Sequence, residues 1–128
     1  MTRFPNWTND IETFVDYLGH SQIVDPTMAV ALRDDFQKSS QPGATICDFC
    51  SFLIARGVLT YWQCHKLRNA QYKGFVTDDY LIIDYVTCSS EGNVFLARHR
   101  EKQNVVCLAF GPGEYAYFEV RPAPPCFP

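Results

Sequence analysis

The first 75 residues of this chain repeat themselves at a constant offset of 35. Phe14 matches Phe49, Tyr17 matches Phe52, Leu18 matches Leu53, Ile23 matches Val58 and Val24 matches Leu59. The match continues through the candidate caps Asp25 and Thr60 to Leu32 with Leu67 and Arg33 with Arg68. A repeat of this length is one supersecondary unit that leaves an apolar face uncovered, so the two copies must stack on each other. Local patterns identify the unit as a helical hairpin. Ile11, Phe14, Val15 and Leu18 fall at i, i+3, i+4, i+7 on one face of a helix that Gly19 is placed to end. Asp25-Pro26 supplies an N-cap acceptor and a ring at the first helical position, which predicts a second helix to about Phe36. A polar connection from Ser39 to Gly43 follows. Ile46, Phe49, Cys50 and Leu53 then repeat the one-faced spacing ahead of Gly57, which suits a left-handed C-cap. Thr60 and Gln63 form a capping box, flanked by the staple pair Leu59 and Cys64, that opens a fourth helix to about Gln71.

From Val76 onward β-branched and aromatic runs alternate with turn residues. Tyr80 to Val86, Asn93 to Arg98, Val105 to Phe110 and Tyr115 to Val120 are four expected strands. Their short connections favour an antiparallel meander. The expected fold class is therefore α+β: a four-helix array of two hairpin repeats over 1–75, then an antiparallel β region over 76–121 packed on it. A proline-rich tail over 122–128 lacks the donors of a central strand and should form an extended arm.

With 128 residues, 47% apolar and 15% aromatic, the chain can bury a core without disulfides or a metal. No apolar run reaches the roughly 18 residues that a membrane span requires. The opening MTRFPNWTND puts Pro, Asn and Asp where a secretory signal would need apolar residues, so a cytoplasmic location is expected. A net charge of -3 and only short basic stretches around Lys66 and Arg98 argue against a nucleic-acid footprint.

Six cysteines without an export signal are expected to be reduced thiols. Cys47, Cys50, Cys64 and His65 supply four potential metal ligands on two adjoining helices, the first pair spaced C-x-x-C. Packing competes with that reading, because Cys50 holds a core position and Cys64 a staple position. Cys64 and His65 also point about 100° apart on a helix. The expectation is no metal and no cofactor. A thiol redox motif would need the C-x-x-C to begin a helix after a strand, whereas this one is expected inside its helix. Among the aromatics, Tyr61, Trp62, Tyr72, Phe75, Tyr80 and Tyr85 are expected to dock helices on sheet. Trp62, Tyr72, Tyr115, Tyr117 and Phe118 form a possible patch for a protein partner.

The stretch Ala55 to Leu67, ARGVLTYWQCHKL, followed by Tyr72-Lys-Gly-Phe75 and Tyr80-Leu-Ile-Ile-Asp84, resembles one family. It is similar to the helical pre-domain and first kinase strand of bacterial, planctomycete-type serine/threonine protein kinases. The likeness spans about residues 11 to 110. Gly92 to His99 then resembles the second strand of a kinase N-lobe and Val106 to Phe110 the third, which implies a kinase N-lobe-like sheet. On that alignment the phosphate loop corresponds to Thr87-Cys88-Ser89-Ser90-Glu91-Gly92, of whose three glycines only Gly92 remains. The position of the phosphate-gripping lysine is Ala109, and Val94 and Cys107 match the residues that would sandwich an adenine. The chain has no catalytic loop and no metal-binding D-F-G segment. The resemblance thus implies a scaffold without phosphotransfer: an interaction or regulatory module whose partner is a protein, a kinase or signalling protein among the candidates. The alternative is a pseudokinase-like binder holding ATP or ADP weakly through Thr87, Ser89 and Gly92.

Overall fold

A computed structural model describes residues 6–89, 92–113 and 117–123. The chain divides into two compact units, one ending at Gly74 and the other beginning at Phe75. Among the described residues the first holds four helices: α1 (Ile11–His20), α2 (Pro26–Ser39), α3 (Ile46–Ala55) and α4 (Tyr61–Arg68). The second holds five strands, β1 (Val76–Thr77), β2 (Tyr80–Ser89), β3 (Gly92–His99), β4 (Val105–Phe110) and β5 (Tyr117–Pro122), antiparallel and in sequence order. The fold is α+β, and no described helix is long and apolar enough to cross a membrane.

The 35-residue offset holds at each helix start. Asp10 and Thr45 cap α1 and α3, while Asp25 and Thr60 cap α2 and α4, each accepting from the backbone N–H three residues on. Both α3 and α4 carry a full capping box; the one on α3 uses Asp48 where Gln63 serves α4. The turns inside the hairpins also correspond. Gln22 and Gly57 both take left-handed backbone, at φ 68° and 73°. After α3 the Val58 N–H reaches the Leu53 carbonyl and the Gly57 N–H reaches Ile54, a Schellman ending. The apolar faces meet where Phe14 and Phe49, equivalent residues, touch edge to face at 5.9 Å between ring centroids. Both are fully buried, as are Leu18, Leu53 and Leu67.

Three helix boundaries differ from the sequence reading. Gly19 does not end α1, which runs one residue further. Its missing Cβ instead lets the Pro26 backbone approach, for a Cβ there would lie 3.1 Å from Pro26 Cα. Helix α2 continues to Ser39, past the expected end at Phe36. Helix α4 stops at Arg68, short of Gln71, because Ala70 turns left-handed at φ 60° and passes its N–H to Leu67 while Gln71 donates to Lys66. Alanine at that place carries no helix-stop signal.

The sheet has one strand more than expected, the two-residue β1, which pairs Val76 with Leu81 and Thr77 with Tyr80. At the other edge β5 extends to Pro122, opposite Val106 at the end of an edge strand, where a missing donor is tolerated. Tyr115, Ser90, Glu91 and the last five tail residues lie outside the described residues. Ile83, Leu96 and Cys107 form an apolar cluster with Val94 packed against it. Aromatic rings run across the strands from Tyr85 to Phe95, Phe110, Tyr117 and back to Tyr80, at 5.6 to 6.2 Å. An arc that leaves β2 and returns to it through β5 requires the sheet to curl. The Tyr117 hydroxyl completes the curl by donating to Asp78, just after β1.

Two predictions follow from the sheet. A Cβ at Gly92 (φ +130°) would collide with the Phe110 carbonyl oxygen. Gly92→Ala should therefore destabilise the chain by roughly 2–4 kcal/mol, read as a lower urea midpoint. The hydrogen bond to Asp78, followed by burial, pushes the Tyr117 pKa up from 10.0 to about 12. The folded form thus holds this proton more tightly than the unfolded chain does. Its contribution is complete below pH 10 and is lost as pH rises toward 12. Denaturation midpoints across that window should fall less steeply for Tyr117→Phe than for wild type.

Candidate functional site

Each hairpin carries a cleft, and the two clefts are built from equivalent positions. In the first, of ≈230 Å³, Glu12, Val15, Asp16, Gly19, Pro26, Val30 and Arg33 contribute to the lining. In the second, of ≈210 Å³, the residues 35 positions on take their places: Cys47, Cys50, Ser51, Ile54, Tyr61, His65 and Arg68. Trp7 and Cys64 complete the second cleft.

The arginines show how the two clefts diverge. Arg33 Nη1 lies 2.6 Å from Glu12 Oε2, an ion pair between α2 and α1. Arg68 Nη1 points to the equivalent place on α3 and meets the Cys47 sulfur at 3.3 Å. The other arms of Arg68 fasten the segment before α1: Nε donates to the Thr8 carbonyl at 3.2 Å and Nη2 to Asn9 Oδ1 at 2.7 Å. The guanidinium also lies 4.3 Å from the centroid of the Trp7 ring, itself 5.1 Å from the His65 ring. A planar group with five donors suits such divided duty.

Cys47, Cys50, Cys64 and His65, the candidate ligand set, do share this cleft. Among the described residues, however, no group of three or more His, Cys, Asp or Glu side chains is disposed to hold a metal ion. Cys47 faces a guanidinium, and the Cys50 and Cys64 thiols are hydrogen-bonded to each other. That mutual bond lowers the Cys50 pKa, against burial and with help from Arg68, and raises that of Cys64, its burial adding to the rise. The C-x-x-C lies inside its helix as expected: α3 starts at Ile46, so Cys47 sits in the first turn and Cys50 in the next.

The positions aligned with a nucleotide site lie in the sheet. Thr87 pairs with Val94 and Ser89 with Gly92 across the β2–β3 hairpin. Gly92 is pressed against the Phe110 carbonyl of β4, so its lack of a side chain answers to strand packing. Cys107 and Ala109 are buried. The aromatic patch residues divide between the units. Trp62, near Lys66, and Tyr72, stacked on Tyr17 at 5.2 Å, belong to the helices, while Tyr117 and Phe118 belong to β5. Tyr117 joins the aromatic arc, and Phe118 is 66% exposed.

Sequence reasoning missed Trp7 and the role of Arg68. Extending the 35-residue match to Glu12 and Cys47 would have placed a thiol opposite Arg68. No protein-family model, no curated protein and no solved structure matches the chain. Arg68→Ala should cost about 1–2 kcal/mol in urea denaturation through the lost hydrogen bonds and ring contact. Arg68→Lys should recover less than half of that, since an ammonium cannot reach three directions at once.

Proposed function

We propose that the chain is a non-catalytic interaction or regulatory module, a helical repeat joined to a sheet of the kind that opens bacterial serine/threonine kinases. The burial of Ala109 carries this reading. In the resemblance it stands where a lysine would grip the phosphates, and here it is 2% exposed in β4 and bears no charge. Phosphoryl transfer depends almost wholly on positioning and on charge stabilisation, so a neutral, buried residue there removes the essential cation. The adenine positions argue the same way: Cys107 is part of the apolar cluster with Ile83 and Leu96, and Val94 packs against it.

The surface offered to a partner includes β5, the last strand in the sheet order. Phe118 is the extra residue of a bulge there, since Ala109 pairs with Glu119 and Phe110 with Tyr117. With Val120 at 44% exposure, it gives an edge strand an apolar character that such strands normally avoid. A partner strand or apolar side chain seated there would be bound by an established mode of protein recognition. The partner is a protein, with kinases and signalling proteins the first to test.

A melting series with millimolar Mg-ATP tests the reading, because any ligand of the native state must raise the melting temperature. No shift is expected, and no label should move from γ-labelled ATP to any acceptor. A clear rise would favour the nucleotide-binding alternative, and transferred label would overturn a non-catalytic role. Phe118→Asp should weaken capture of a kinase or signalling partner while leaving the melting temperature unchanged.

A further inference from the structure

The second hairpin carries sulfur at three places where the first has none: Glu12, Val15 and Ala29 of the first hairpin correspond to Cys47, Cys50 and Cys64 of the second. Val15 and Ala29 are buried, as are Cys50 and Cys64. The first hairpin fills these two buried positions without sulfur, whereas the second sets two cysteines against each other across α3 and α4. They line an open cleft with their thiols in hydrogen-bond contact. An S–S bond of roughly 2.05 Å between them would join the two helices at this contact.

We infer that Cys50 and Cys64 are a peroxide-responsive thiol pair, whose reversible disulfide ties α3 to α4. Cys50 is the attacking sulfur. The Cys64 thiol donates to it, and the positive charge of Arg68 also favours its ionised form. After Cys50 gives its proton to solvent, the thiolate attacks one peroxide oxygen. An S–O bond forms, the O–O bond breaks, and hydroxide leaves to be protonated to water. The Cys64 sulfur then displaces the hydroxyl of the Cys50 sulfenic acid: the S–S bond forms, the S–O bond breaks, and the hydroxyl departs as water with the Cys64 proton. In sum two thiols are oxidised and one peroxide is reduced to two waters. Cys47, its sulfur turned to Arg68, is not a partner in the proposed link.

The test treats the reduced full chain with a small excess of hydrogen peroxide under native conditions, alkylates the remaining thiols, and maps peptides by mass. The expected product has lost two hydrogens, carries a Cys50–Cys64 link, and returns to six free thiols with dithiothreitol. The double variant Cys50→Val, Cys64→Ala copies residues that the first hairpin already uses and should lose this product; Cys107→Ser should retain it. A link between Cys47 and Cys50, any other pairing, Cys50 oxidised to sulfinic acid beside a free Cys64, or full alkylation of all thiols would each overturn the inference. Should the double variant fail to fold, the wild-type map decides alone.

Discussion

The helical unit depends on one mutual burial. Each hairpin has an apolar face that it cannot cover by itself, and the equivalent rings Phe14 and Phe49 meet at the centre of the contact, fully withdrawn from water. Burying a pair of phenylalanines removes several hundred square ångströms of apolar surface from solvent, the dominant favourable term for a chain of this size. Phe36 joins them at 5.0 Å from Phe49, so α1, α2 and α3 share one aromatic centre. Neither copy of the repeat has a core without the other.

The helical part was legible because its signals are local. A cap such as Asp25 or Thr60 makes its hydrogen bond within three residues, so the offset between copies carries straight into the structure. What escaped depends on distant partners. Gly19 has the chemistry of a helix stop, yet its use is set by Pro26 on the next helix. Ala70 adopts left-handed backbone with no residue-type signal. In the sheet, the apolar run marks β4 to the residue, Val105 to Phe110, whereas the two-residue β1 is too short for periodicity to mark. Of the candidate site, the four metal-ligand candidates share one cleft without being disposed to hold a metal ion, and Trp7, which lines that cleft with them, lies far from all four in sequence.

The two units solve different problems with aromatic residues. In the helices the rings fill a centre. In the sheet they form an arc across the strands, each edge-to-face pair adding about 0.5–1.5 kcal/mol beyond its buried area. That arc draws Tyr117 inward, while the neighbouring bulge leaves Phe118 outside. One irregular residue thus separates the part of β5 that builds the fold from the part available for recognition, in keeping with the common placement of bulges beside functional surfaces.

The close approach of Gly19 to Pro26 also sets the first hairpin apart from the second. At the matching corner of the other half stand Ile54 and Tyr61, a branched side chain beside a large ring, so the halves share their scaffolding but not their hinge. An isoleucine introduced at position 19 alone would bring its Cβ to 3.1 Å from Pro26 Cα, so this corner changes as a pair of residues or strains the approach of α1 to α2. The two corners are therefore not interchangeable one residue at a time, and the clefts beside them differ in kind, ionic pairing in the first and sulfur in the second.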